Sequence, residues 1–268
     1  MSTRMVPTNP SITDTRHAAP SFTMRLSRIF IRQALVEGAQ IRLDVDAGHY
    51  VRNVLRLKPG VTIALFNGED YCDYESQLSY DGKQAIATIR KRIPGSTESA
   101  LKTEIIQGLS RSDHMDWMIQ KCTELGVTQI SVFNANYSQI PLKPARLNKR
   151  LLHWSNIAIK ACEQCGRQVP PRINFQQNLV SLLDEEIRRD IKILLDSEGK
   201  RLLSEPAPIN STDQIAILLG PEGGLSQAEI KSAQNTGFIA TSLGPRILRT
   251  ETAAVTALAI LQYNYGDI

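Results

Sequence analysis

Ile215-Ala-Ile-Leu-Leu-Gly-Pro-Glu-Gly-Gly-Leu-Ser226 and Thr241-Ser-Leu-Gly-Pro-Arg-Ile-Leu-Arg-Thr-Glu-Thr-Ala-Ala254 share one grammar: an apolar stretch, Gly-Pro, then a segment of helical character. A buried strand that ends in glycine lets the backbone approach a ligand closely, and free amides at a helix start bind anionic or carbonyl groups. Two such loops predict one small-molecule pocket. The first loop has no Lys-Ser/Thr after its glycines and no GxGxxG spacing, so it matches neither standard phosphate fingerprint. Ser226 followed by Glu229 forms a capping box, so part of that motif simply starts a helix. In the second loop, Thr250 or Thr252 would serve as a helix N-cap, which leaves Arg246, Arg249 and Glu251 over for other work.

Outward from these loops the chain alternates strands and helices. Lys102-Thr-Glu-Ile-Ile-Gln-Gly-Leu109 reads as a strand, 115–125 as a helix closed by Gly126, and Thr128-Gln-Ile-Ser-Val-Phe133 as a second strand. A long helix follows over 144–165, another over 179–189, a strand at Lys192-Ile-Leu-Leu195, and a last helix over 251–263. This order implies an α/β fold with a mostly parallel sheet over 96–268. Pro94-Gly-Ser-Thr-Glu-Ser99 has the composition of a linker. Before it, over 24–95, strand-like segments at 40–43, 61–66, 74–78 and 85–89 are separated by turn signals at Lys58-Pro-Gly60, Asn67-Gly68 and Asp81-Gly82. They predict a small β-barrel or sandwich. Within it, His49-Tyr-Val-Arg-Asn-Val-Leu-Arg-Leu57 suits a short helix with Val51, Val54, Leu55 and Leu57 inward and Arg52, Asn53 and Arg56 outward. Residues 1–23, rich in Ser, Thr and Pro, read as a disordered extension, with Met24 as a second start.

At 268 residues with 42% hydrophobic content, the chain can bury a substantial core, and no apolar run approaches the roughly 20 residues that span a bilayer. Cys72, Cys122, Cys162 and Cys165 are too few for a disulfide framework, which fits a reducing cytosol and a cytoplasmic protein. Cys162-Glu-Gln-Cys165 is a lone CxxC without a second ligand pair, so no metal is expected. The formal charge of +4 is unevenly spread, with 11 Lys/Arg against 8 Asp/Glu over 24–95. Over 143–172, Lys143, Arg146, Lys149, Arg150, Lys160, Arg167 and Arg172 face only Glu163. Such clustering is either a phosphate-binding footprint or a solvated helix face.

The two Gly-Pro loops, with Asp116-Trp-Met-Ile-Gln-Lys-Cys-Thr-Glu-Leu-Gly126, Ala161-Cys-Glu-Gln-Cys-Gly-Arg167 and the 49–57 segment, resemble the RsmE family of SPOUT methyltransferases, which methylates N3 of a uridine in 16S ribosomal RNA. The resemblance covers about 24–268. It implies a PUA-like RNA-binding β-barrel followed by a trefoil-knotted α/β methyltransferase domain, with S-adenosylmethionine as methyl donor and no metal. It also implies 16S rRNA or the small ribosomal subunit as partner, and a homodimer. The knot is not readable from periodicity, since threaded connections are essentially absent from ordinary folds. At Ser27-Arg-Ile-Phe30 the chain has one arginine where the family commonly has two, so a substrate role passes to Arg28 alone.

By that resemblance the cofactor meets Leu195, Leu219, Gly220, Gly223, Gly224, Leu243, Gly244, Ile247, Leu248, Arg249 and Thr252, with Asp196-Ser-Glu198 as a third loop. RNA phosphates meet Arg28, Arg52, Asn53, Arg56, Arg146, Arg150 and Arg167. The sulfonium donor is already activated, whereas N3 of uracil must lose a proton. Glu251 is the candidate base and Arg249 the candidate stabilising cation. Glu251 could instead brace the loop or bind the partner subunit. The final helix is apolar nearly all round, more than one buried face requires, which predicts an interface with a second copy or complete burial within one chain. Two other readings use the same residues: an RNA-binding protein that keeps the fold without catalysis, and a nucleotide-dependent enzyme with an unusual phosphate loop. The second lacks a P-loop lysine and a magnesium carboxylate pair.

Overall fold

Period-2 alternation in the C-terminal strands sorts their side chains to two faces, and that sorting sets the architecture. The computed structural model describes residues 26–185, 189–203 and 213–268, and the extension expected over 1–23 lies outside them. In β11 (Gln214–Leu219), Ile215, Ile217 and Leu219 join one apolar core while Ala216 and Leu218 join another. β6 (Lys102–Gly108) divides likewise at Ile105 and Ile106. A strand buried on both faces belongs inside a parallel sheet covered by helices. Accordingly β6, β7 (Gln129–Phe133), β8 (Arg172–Gln176), β9 (Ile191–Leu195), β10 (Arg201–Leu202), β11 and β12 (Ile239–Ser242) form one parallel sheet in the order β10-β12-β9-β11-β6-β7-β8. α2 (Ser112–Glu124), α3 (Pro144–Cys165) and α6 (Thr250–Tyr265) contribute to the first core, α4 (Leu179–Leu183) and α5 (Gln227–Asn235) to the second.

The N-terminal part has its own core around Val51, Ile63, Leu65, Leu78 and Ile89. Five strands, β1 (Ser27–Phe30), β2 (Gln40–Arg42), β3 (Thr62–Phe66), β4 (Asp73–Asp81) and β5 (Gln84–Ile93), form a sheet in the order β1-β3-β4-β5-β2. β1 pairs with β3 in parallel, and the other pairings are antiparallel.

Several local expectations are corrected. The helix at 49–57 is α1 (Val45–His49) running into a π-helical turn, Tyr50–Val54, closed by Leu55 N donating to Tyr50 O at 2.9 Å. The wider turn shifts the helical phase, so Val51 is buried while Val54 points outward, 58% exposed. The helix at 179–189 ends at Leu183, and Arg189 turns inward to pair with Glu104 at 2.7 Å. β8 was not anticipated, although Ile173 and Phe175 alternate with polar neighbours as a strand requires. The linker at 94–99 is strapped down. Glu98 pairs with Arg167 at 2.7 Å and Ser99 Oγ donates to Gln262 Oε1 at 2.8 Å.

Candidate active site

Ligands of parallel α/β sheets sit beyond the carboxyl ends of the strands. There, the loops after β9, β11 and β12 meet the start of α2 around a cleft of about 730 Å³. Leu195, Leu219, Gly220, Gly224, Leu243, Gly244, Ile247, Leu248 and Arg249 line it, as does Glu251. The two Gly-Pro loops therefore share one pocket. Gly223 instead backs onto Tyr137, where a Cβ would stand 2.9 Å from the tyrosine Cβ, and Thr252 is exposed outside the lining. Asp196 and Ser197 join the wall, as the third loop requires.

The glycine at 220 has a different reason from the one expected. A Cβ there would lie 2.6 Å from the carbonyl carbon of Gly224 and 2.8 Å from Leu225 N, so the loop closes on itself rather than leaving that space for a ligand. Gly224 supplies the positive φ, 74°, that the turn needs. The Gly220 carbonyl accepts from Thr250 Oγ1 at 2.7 Å and from Gln107 Nε2 at 3.0 Å. Thr250 thus ties the two loops together and is not a side-chain cap. Arg249 holds the N-cap position of α6, and its side chain makes no capping hydrogen bond. The capping box read at Ser226 and Glu229 is present at the start of α5.

In the wall of the cleft stands a cluster absent from the sequence-based site. His114 Nδ1 lies 2.9 Å from Glu222 Oε1 and 3.6 Å from Glu251 Oε2, and Arg111 Nη2 lies 2.9 Å from His114 Nε2. A guanidinium only donates, so Nε2 accepts and the imidazole is neutral, with its proton on Nδ1. That N–H is directed to Glu222. Arg111 N also donates to Glu222 Oε1 at 3.0 Å. Burial pushes the Glu222 carboxyl up, but hydrogen bonds from the Arg111 and Glu222 amides, with the hydrogen bond and electrostatic attraction of His114, outweigh it and hold it below the ordinary value. Glu251 is buried, and its Oε2 has no hydrogen-bond partner. Arg111 and His114 sit just before the recognised 116–126 stretch, and that adjacency was the available clue.

The residues expected to meet RNA divide into two groups. Asn53 and Arg56 are exposed beside Arg52, which lies 4.4 Å over the Tyr80 ring and donates to Gly82 O. Arg146 is exposed at the start of α3, while Arg150 donates to Ser112 Oγ at 2.7 Å, next to the cleft-lining Arg111. Arg28 and Arg167 require correction. Arg28 is buried, paired with Asp73 at 2.7 Å, and donates to the carbonyls of Cys162 and Arg167. Arg167 is 4% exposed and donates to Glu98 and to the carbonyls of Thr123 and Val127. Neither guanidinium is left a surface for phosphate. Both hold elements together. The CxxC thiol Cys162 is buried and pushed up to about 12, and no group of three or more potential metal ligands occurs among the described residues.

Comparison with known proteins bears on this geometry. A family model described as an RNA methyltransferase domain matches residues 97–262. The chain is 33% identical over 245 residues to the ribosomal RNA small subunit methyltransferase E of Buchnera aphidicola subsp. Schizaphis graminum, covering 91% of this chain and 98% of that one. It is 30% identical to the protein of the same name from Bacillus subtilis, over 89% and 96% of the two chains. Among solved structures, a Legionella pneumophila methyltransferase with bound S-adenosylmethionine superimposes with a TM-score of 0.84 at 34% identity, over 91% of this chain and all of that one. The Neisseria gonorrhoeae ribosomal RNA small subunit methyltransferase E, bound to S-adenosylmethionine, gives 0.82 at 32% identity, over 91% and 99%.

Proposed function

Because the chain belongs to the ribosomal RNA small subunit methyltransferase E family, we infer that it is an S-adenosylmethionine-dependent methyltransferase of 16S ribosomal RNA, and we propose N3 of a uridine as the acceptor. The observation that carries the reading is the meeting of both Gly-Pro loops, tied by Thr250, at one cleft that also holds a buried carboxylate with one oxygen lacking a hydrogen bond. The residues present fit the donor. Leu195, Leu219, Leu225, Leu243 and Leu248 offer an apolar bed, and the loop backbones around Gly220 and Gly244 offer amides and carbonyls in the manner of small-molecule pockets. When bound, S-adenosylmethionine supplies an electrophilic methyl group that needs no metal.

The protein's own work is on the acceptor. Uracil N3 carries a proton, and Glu251 takes it as general base while Arg249, exposed at the cleft, stabilises the negative charge that develops on O2 and O4. The target base leaves its stack to reach the cleft. Arg52, Asn53 and Arg56 on the N-terminal sheet, with Arg146 and Arg150 on α3, position the phosphates.

The same reading extends to architecture. We propose that 24–95 is a PUA-like RNA-binding barrel and that 96–268 is a trefoil-knotted catalytic domain, in a cytoplasmic homodimer. Separate cores support the division. The path after β9 supports the knot. β12 lies between β9 and β10, and the short connection between those strands passes so close over β12 that a Cβ on Gly199 would stand 2.7 Å from the Thr241 backbone.

The test is methyl transfer from labelled donor to small ribosomal subunits lacking the modification, followed by reverse transcription. An N3-methyl group blocks base pairing, so the expected result is one new stop at one uridine, and calorimetry in chelator is expected to show one donor site per chain. RNA binding without donor binding or transfer would favour the non-catalytic reading, and loss of donor binding in chelator would refute metal independence.

A further inference from the structure

The cluster in the cleft wall has a feature that general-base chemistry alone does not explain. Glu251 Oε2 is a buried carboxylate oxygen with no hydrogen bond, although a histidine N–H lies 3.6 Å away. An unmet buried acceptor costs about 1–3 kcal/mol, and more for a charged group. The histidine could relieve that cost by turning toward Glu251. Two contacts hold it elsewhere: Arg111 Nη2 fixes Nε2 as an acceptor, and Glu222 Oε1 receives the Nδ1 proton at 2.9 Å. Glu222 is itself anchored by the Arg111 amide at 3.0 Å. The arrangement spans three segments, the start of α2, the loop after β11 and the start of α6.

We propose that His114 is a positioning residue for proton removal: clamped in its neutral form between Arg111 and Glu222, it gives its single N–H to Glu222 and so leaves Glu251 Oε2 without a hydrogen bond and the carboxylate free to take the proton from uracil N3. This rests on the reading of Glu251 as the base. The charged and titratable groups that share the cleft with Glu251 are Arg111 and His114 at the start of α2, Glu222 from the β11 loop, and Arg246 and Arg249 from the loop before α6, with Asp113 3.8 Å from His114 Nε2. Two effects follow from the clamp and have one sign. A hydrogen bond to a carboxylate stabilises its charged form and makes it a poorer proton acceptor, so the clamp withholds a contact that would oppose proton transfer, and removing the Glu222 charge would oppose it too. In the step itself the N3–H bond breaks, its electron pair remains on the uracil as N3 attacks the methyl carbon, and the proton ends on a Glu251 carboxyl oxygen.

The experiment is the pH dependence of single-turnover methylation in the full-length protein. Glu222→Ala frees the His114 N–H to bond Glu251, which weakens the base. The acid limb of the profile is expected to move to lower pH by roughly half a unit or more, and the plateau to fall about three- to tenfold. Glu222→Gln removes the charge but keeps an oxygen to accept from His114, so its shift is expected to be smaller. In a His114→Ala background, where there is no N–H to release, the difference between the two Glu222 variants is expected to vanish. Equal shifts for Glu222→Ala and Glu222→Gln, or an unmoved limb, would overturn the proposal, because a merely structural role lowers the plateau without moving the limb. Loss of the limb in His114→Ala would also overturn it, since histidine would then be the titrating base. If Glu251→Gln keeps the wild-type rate and limb, the base reading itself fails, independently of the Glu222 result. Thermal melts and donor calorimetry on each variant separate these outcomes from misfolding.

Discussion

The Arg167 guanidinium, enclosed within the molecule, donates twice to Glu98 and to the carbonyls of Thr123 and Val127. Removing one member of a buried, hydrogen-bonded ion pair strands the other, a loss of about 3–5 kcal/mol. Arg167→Ala is therefore expected to lower unfolding stability by that amount in urea denaturation, while RNA affinity per folded molecule stays unchanged. A stable variant with weakened RNA binding would return Arg167 to the phosphate-binding set. Sequence could not separate Arg167 from Arg146, because both lie in one basic run and differ only in what folds over them. The partner that buries Arg167, Glu98, lies in a segment whose composition reads as a linker. Glu251 was legible because its loop repeats a recognisable grammar. His114 and Glu222 were not, since their contact joins residues 108 positions apart.

At the scale of elements, α6 combines two demands in one sequence. Ala254, Ala257, Leu258 and Leu261 are buried against the sheet and α2, while Val255, Ala259 and Ile260 are half-buried and Tyr263 is 74% exposed. Val255 and Ile260 pack only partly against that core, and a helix wholly satisfied by its own fold would carry polar residues at such half-buried positions. A second copy of the chain is expected to cover them. Sedimentation at micromolar concentration should give about twice the 29.8 kDa chain mass, and an active monomer would refute the dimer. Periodicity revealed α3 and α6 well because long amphipathic or apolar segments outweigh local ambiguity. It over-extended α4 because Arg189 is drawn to buried Glu104, a tertiary contact that helix propensity does not contain. The close crossing at Gly199 was equally unreadable, since the path of a connection leaves no period in the sequence.

For the whole molecule, the question is whether RNA holding and methyl transfer can be separated when the two sheets are firmly joined. Arg28 links Asp73 of β4 to the carbonyl end of α3, and Phe30 N donates to Glu163 at 3.2 Å. Those contacts fix the N-terminal sheet against α3, yet Arg52 and Arg56 lie apart from the residues that line the cleft. Each phosphate neutralised by a side chain releases condensed counterions, contributing about 0.7–0.9 to the slope of log affinity against log salt. Changing both arginines to alanine is thus expected to weaken RNA binding and flatten that slope by about 1–2, with Arg52 contributing less if it stays bonded to Gly82 O and stacked on Tyr80. Donor affinity by calorimetry should be unchanged, because no atom of either arginine reaches the Gly-Pro loops. A parallel fall in donor affinity would mean that the joined sheets act as one binding unit, with the rigid Arg28 contact transmitting the change, and the assignment of separate roles to 24–95 and 96–268 would be wrong.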